Sequence, residues 1–256
     1  MNKIYLATKM IGDAYSAQVV NQNEDIIAWL AHKLKHSFGV SLEIMNILYG
    51  EKEICDSLTK DEKELVELSG ILHDLGRFYQ HKDGRHLSNS EFDHGEYAVK
   101  LLKDNPNFNN PIILFAIQEH NQIAIRYDNP YYTELSDHDK KVADITAKLL
   151  RDADKLENIK QFIYEGHPKL TYEITHEPMS EYVKNCVINN FQISNKIIKN
   201  TVDRIVGLLS WVHDINYETT KTQVRNLHYI EAGINEAITY GATAEDCELL
   251  RKYLKV

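Results

Sequence analysis

Leu65, Leu68, Leu72 and Leu75 recur at steps of three and four and stop at Gly76, which reads as an amphipathic helix with a glycine end. Its start is marked by Thr59-Lys60-Asp61-Glu62, a capping-box pattern. His73 and Asp74 stand between the last two leucines, in the final turn of that helix. An imidazole and a carboxylate are expensive to bury unpaired at the end of an apolar run, and a bound cation would remove that cost. A second pair, His213-Asp214, shows that the dipeptide alone carries little weight; a capped helix end accounts for it. What constrains the chain is whether other helices bring further ligands to the same point.

The rest of the pattern is helical too. Ile26, Ile27, Leu30 and Leu34 lead to His36, and Val40, Ile44 and Ile47 continue that face up to Gly50, with His32 one turn before His36. A helix opening at Ser90-Glu91 carries His94, Ala98, Leu101 and Leu102 on one side. Asn110-Pro111 caps another in which Ile113, Ala116 or Ile117, and His120 share a face. From Ser136 a long helix turns Val142, Ile145, Leu149, Leu150, Ala153, Leu156 and Ile159 inward, with Asp152 and Asp154 interrupting it. Further helices are expected near 180–198, 201–215, 221–240 and 244–254, the last capped by Thr243-Ala244-Glu245-Asp246. The first twenty or so residues show no clear period and are expected to pack as an arm or short helix. No stretch alternates like a strand, so the expected fold is all-α, with one small hairpin near 166–176.

Composition narrows the class. The chain has 256 residues, 43% hydrophobic and 26% charged, as a globular protein with a substantial core does. A formal net charge of -9 disfavours an extended nucleic-acid surface or an anionic membrane, while leaving room for a local cationic pocket. Cys55, Cys186 and Cys247 are odd in number and widely spaced, which fits a reducing cytoplasm. Neither a leader nor an apolar run of membrane-spanning length is legible, so the expected location is cytoplasmic.

The inward-facing residues of metal-binding type are then His36, His73, Asp74, His94, His120 and either Asp152 or Asp154, each flanked by core positions. Nitrogen and carboxylate donors without thiolates suit Zn, Mn, Fe, Co or Ni and argue against a structural thiolate zinc site. His81 and His86, in the polar loop 77–89, read as ordinary loop residues, and His32 as a surface residue or one lying beside the site.

These segments resemble the HD-domain superfamily of metal-dependent phosphohydrolases, in the order H…HD…H…H…D. Lys35-His36-Ser37-Phe38-Gly39-Val40 looks like its first histidine and Ile71-Leu72-His73-Asp74-Leu75-Gly76-Arg77 like its signature. Asp93-His94-Gly95-Glu96 and Gln118-Glu119-His120-Asn121 look like its third and fourth histidine segments, and Asp152-Ala153-Asp154-Lys155-Leu156 like its closing one. The likeness spans roughly residues 24–165 and places the last ligand at Asp154.

The resemblance implies an HD-type helical bundle over residues 1–170 with a C-terminal helical extension, 171–256, packed on it. It implies that His36, His73, Asp74 and Asp154 hold a principal ion, and that His94 and His120 hold a second with Asp74 bridging. One or two divalent ions are expected, Mn, Fe, Co, Ni or Zn, with Mg a further candidate. The implied reaction is attack by metal-activated hydroxide on a phosphoester or phosphoanhydride of a small phosphorylated substrate, a nucleotide first among them. Arg77 and Lys155 flank ligands and are the expected phosphate contacts, whereas Lys148 and Arg151 read as surface or supporting residues. Tyr127, Tyr131, Tyr132 and Arg126 are a weaker candidate for a ring pocket. Two other readings stay open: an HD-type diiron oxygenase cleaving C–C or C–P bonds, which resembles the same ligand order, and a non-catalytic helical module stabilised by metal.

Overall fold

The computed structural model describes residues 2–88, 91–165 and 174–256. Among them the chain forms thirteen α-helices, and the only sheet is a two-stranded hairpin. It divides into two compact units, Met1–Glu157 and Asn158–Val256, with the division inside one long helix.

In the first unit the elements are α1 (Lys3–Gln18), α2 (Glu24–Gly50), α3 (Lys52–Ser57), α4 (Lys60–Leu72), α5 (His94–Lys103), α6 (Pro111–Glu119), α7 (Pro130–Thr133) and most of α8 (Asp137–Glu165). Helices α2 and α4 are the central pair. Gly70 lets them approach closely: a Cβ there would stand 3.1 Å from the Ser41 Cα and 3.0 Å from the Ile44 Cγ2. Leu30, Val40, Ile44, Ile47 and Leu48 of α2 and Val66, Leu68, Ile71 and Leu72 of α4 are all buried. The α4 cap forms as expected, with Thr59 accepting from the Glu62 backbone N–H and Glu62 from that of Thr59.

Several expectations are corrected. The N-terminal stretch is a helix of 16 residues, capped by Asn2. It buries only Ala7, Ile11 and Ala14, a narrow stripe too small to register as a period. Helix α5 begins at His94, not near Ser90, because the Asp93 carboxylate caps the N–H groups of Gly95 and Glu96. Ile27 is exposed and Leu34 half-buried, so the buried stripe of α2 is narrower than its apolar residues suggest.

The expected hairpin near 166–176 falls mainly on 166–173, outside the described residues. The one observed is β1 (His81–Lys82) paired with β2 (Arg85–His86), inside what read as a polar loop. Its turn is Asp83-Gly84, with φ of 53° and 71°; both residues at positive φ is the two-residue turn that matches strand twist.

The second unit holds α9 (Glu181–Ile188), α10 (Thr201–Leu209), α11 (Glu218–Asn226), α12 (Tyr229–Thr239) and α13 (Ala244–Tyr253). Helix α9 stops ten residues short of the expected end, before Asn190 at φ 56°. The expected helix over 221–240 is broken into α11 and α12 by His228 at φ 50°, a left-handed residue a continuous helix cannot contain. His213-Asp214 closes a 3-10 turn that continues α10, a helix end as read. No helix among the described residues is long and apolar enough to cross a membrane.

Candidate metal centre

Five helix positions and one turn deliver the six side chains. His36 lies on the buried face of α2; His73 ends α4; Asp74 follows at φ -97° and ψ 15°, in the sparsely populated bridge between helix and strand. His94 is the first residue of α5, and His120 is the residue that caps the end of α6. Asp154 projects from α8. His36, His73, Asp74, His94 and His120 are all at most 5% exposed.

The centre is built around one carboxylate. Asp74 Oδ2 lies 3.6 Å from His73 Nε2 and 3.7 Å from His36 Nε2. Its other oxygen, Oδ1, lies 3.4 Å from His94 Nε2 and 3.7 Å from His120 Nε2, which are themselves 3.1 Å apart. Asp154 Oδ1 completes the first side, 2.9 Å from His36 Nε2 and 3.9 Å from His73 Nε2. Two groups could therefore each hold a metal ion: His36, His73 and Asp74, and Asp74, His94 and His120. Asp152, the rival on α8, is wholly buried on the same helix, and the residue reaching His36 is Asp154.

Local folding orients the imidazoles. His73 Nδ1 lies 2.8 Å from the Gly70 carbonyl and His120 Nδ1 lies 2.5 Å from the Ile117 carbonyl. A carbonyl can only accept, so each Nδ1 carries the proton and each Nε2 keeps a lone pair facing the centre. His73 Nε2 is buried with no hydrogen-bond partner. A bare nitrogen lone pair beside two carboxylates, sealed from water, is what a divalent cation satisfies, so the donor set fits such an ion.

Electrostatics agree with the geometry. Burial opposes ionisation of Asp74, but Lys33, His73 and Arg77 outweigh it and hold the carboxyl well below its usual range. Burial likewise opposes Asp154, and the His36 hydrogen bond with the surrounding histidines holds it far below normal. Burial pushes His73 down to about 4, and His94 well down with help from Arg77. All four side chains are thus in the deprotonated form a metal needs near neutral pH.

A pH test follows. An unfolded histidine takes its proton near 6.5, folded His73 near 4, so between these values only the unfolded chain binds that proton and stability rises with pH. Between about pH 7 and about pH 5 the metal-free protein is expected to lose on the order of 2 kcal/mol through His73. His94 adds to this loss, and Asp74 and Asp154 add more only as pH falls below the ordinary carboxylate range. Denaturant melts of chelator-treated protein at the two pH values check it; equal midpoints would mean His73 is not buried neutral.

Arg77 and Lys33 flank the centre. Arg77 Nε lies 3.4 Å from Asp74 Oδ1, and its Nη1 donates to Gln80 Oε1 at 2.6 Å. Lys33 Nζ lies 3.2 Å from Asp74 Oδ2. Lys33 was not singled out in the sequence, although its spacing of three from His36 puts it on the same face. Lys155 is buried with its ammonium 3.4 Å from the Arg151 carbonyl one turn back. Lys148 pairs with Asp144 on the α8 surface. Of the two readings of Arg151, surface or supporting, the second fits: it is 2% exposed, and its guanidinium donates to the carbonyls of Glu119, His120, Gln122 and Ile123. The candidate ring pocket is engaged internally, Arg126 with the buried Glu119 carboxylate and Tyr127 with Asp144, its ring against Tyr132.

Gly76 fixes the spacing of the two ligand groups. A Cβ there would overlap the His94 carbonyl oxygen and stand 2.9 Å from its carbon. Gly76→Ala is expected to push α5 away, costing about 1–3 kcal/mol and most of the metal bound by the His94–His120 group. Thermal melts with elemental analysis check it; an unchanged metal content would separate this glycine from the site.

Comparison with known proteins agrees with what the geometry suggests. No curated protein and no solved structure matches the chain. One family does, the HD domain, over residues 26–159, a span that contains His36, His73, Asp74, His94, His120 and Asp154. With a match over more than half of its length, the chain belongs to the HD-domain family, a superfamily of metal-dependent phosphohydrolases.

Proposed function

We propose that this HD domain hydrolyses a phosphoester or phosphoanhydride bond of a small phosphorylated compound, with nucleotides the first class to test. The observation that carries the reading is Asp74, whose two oxygens each face a different histidine pair. That arrangement supports His36, His73, Asp74 and Asp154 as ligands of one ion, and Asp74, His94 and His120 as ligands of a second. Mn, Fe, Co, Ni, Zn and Mg all suit such donors to differing degrees. A divalent ion bound there supplies a water acidified toward neutrality and positive charge for a phosphate oxygen.

The chain's own part is to hold the substrate and its charge. Lys33 and Arg77, both within reach of Asp74, favour an anionic substrate over a neutral one. Arg77 can grip two oxygens of a phosphate, Lys33 one. Lys155 is a further phosphate contact if its ammonium leaves the Arg151 carbonyl. The cationic rim is what favours phosphoryl chemistry over oxygen activation on the same ligands. Three free cysteines favour a cytoplasmic setting.

Elemental analysis of the purified protein, joined to a phosphoester and nucleotide panel with added Mn or Co, tests the reading. Phosphate release that tracks metal content is expected. Iron-dependent oxygen uptake without phosphate release would overturn it in favour of an oxygenase. Loss of folding on chelation, with no turnover of any substrate, would leave a structural metal.

A further inference from the structure

Helix α2 carries more than a metal ligand toward the centre. Trp29, Lys33 and His36 are spaced by four and three residues, so they fall on one face and climb about 10 Å along the axis. His36 meets Asp154 and Lys33 meets Asp74, which fixes the lower two steps at the metal centre. The upper step, Trp29, is half-buried and packs edge to face against His86 of the hairpin, ring centroids 4.4 Å apart.

The hairpin that brings His86 there is tied down at both ends. At its tip the Gly84 carbonyl accepts from Asn23 Nδ2 at 3.0 Å, and Asn23 is the residue that caps α2. At its base Gln80 and Leu87 exchange two bonds, Leu87 N to Gln80 O at 3.0 Å and Gln80 Nε2 to Leu87 O at 2.8 Å. The same Gln80 accepts from Arg77, so the phosphate-facing arginine and the hairpin share a support. Glu91 adds a bidentate clasp on Arg85. Within this fastened wall, His86 Nε2 is buried with no hydrogen-bond partner. Burial first, then the charges of Arg77 and Lys33, lower its proton affinity, to a pKa of about 4, so it stays neutral beside them.

We propose that Trp29 and His86 form a ring-binding corner of the substrate site, taking the planar heterocycle of a phosphorylated compound whose phosphate lies at Lys33, Arg77 and the metal ligands. The heterocycle packs on the Trp29 ring, and the unpartnered His86 Nε2 makes one hydrogen bond with it. The axial order on α2 sets the order of the substrate: charge at the lower steps, ring at the upper. This deepens the phosphohydrolase reading above and rests on it, selecting ring-bearing phosphates over bare or aliphatic ones.

The test uses two non-hydrolysable phosphonates, that of adenosine monophosphate, which carries a planar heterocycle, and that of glycerol 3-phosphate, which carries none, added to the full chain with its metal. In a Trp211→Phe background, Trp29 is the only tryptophan and its fluorescence reports binding. The ring-bearing probe is expected to bind about tenfold tighter or more and to quench Trp29. Trp29→Ala, followed by calorimetry, is expected to erase that preference, and His86→Phe to reduce it, with metal stoichiometry and affinity for the glycerol phosphonate unchanged. Equal affinities for the two probes in the parent protein, or a preference that survives both substitutions, would overturn the proposal. Ring preference without hydrolysis of any phosphoester would sink the phosphohydrolase reading and leave the corner standing. Hydrolysis with no ring preference would sink the corner alone.

Discussion

Asp74→Asn is expected to empty both metal groups at once. The amide keeps the volume of the carboxylate, so packing around it is little disturbed, but it removes the one negative charge shared by His36, His73, His94 and His120. A neutral amide is a poor ligand for a divalent ion and cannot bridge two. It also leaves Lys33 and Arg77 facing a neutral group, adding repulsion where the ion must sit. Metal content should fall to background and turnover by at least the ~10²–10³ that loss of one transition-state group costs. His94→Ala provides the contrast, since it touches only one side of Asp74: the His36–His73–Asp154 side should still bind an ion. Metal-to-protein ratios for the two variants, measured beside their melting curves, separate the outcomes. Full metal retention in Asp74→Asn would refute the shared-carboxylate arrangement.

Much of this centre was legible because four of its six residues, His73, Asp74, His94 and His120, sit at helix boundaries, and boundaries leave strong local marks. Thr59 and Glu62 mark where the His73 helix starts, and Asn110-Pro111 the start of the helix capped by His120. The His73 helix itself stops at Leu72, four residues before the Gly76 read as its end, and Gly76 lies in the 3-10 turn that follows. The helical period then places His36 inward without any knowledge of its partners. What stayed hidden depends on contacts between segments distant in sequence. Arg151 shares a side with the half-buried Lys148, and nothing local says that its guanidinium is buried under the end of α6. His86 read as a loop residue because a pair of two-residue strands is too short to alternate, although Asp83-Gly84 is a strong local hairpin signal. The break at His228 is equally silent, since a left-handed residue there carries no glycine to announce it.

Arg151→Met is expected to be the most destabilising change outside the ligands. An α-helix leaves its last carbonyls without intrahelical donors, and α6 ends at the residue before His120. Arg151 supplies what is missing: Nη1 lies 2.8 Å from the Glu119 carbonyl, 3.3 Å from that of His120 and 2.6 Å from that of Gln122, while Nη2 reaches Ile123 at 3.1 Å. The guanidinium charge also complements the negative end of the helix dipole. Methionine fills the volume but leaves these carbonyls without that donor, at about 1–3 kcal/mol for each one that water cannot reach, or about 3–5 kcal/mol in all. Because His120 sits inside the segment so held, its Nε2 should drift from Asp74, and the His94–His120 group should lose metal before the His36–His73 group does. Arg151→Lys should fall between, since one ammonium cannot span four acceptors. Denaturant melts with and without added Zn measure both effects. A midpoint within about 0.5 kcal/mol of the parent protein would mean these carbonyls find other donors and the α6 end holds itself.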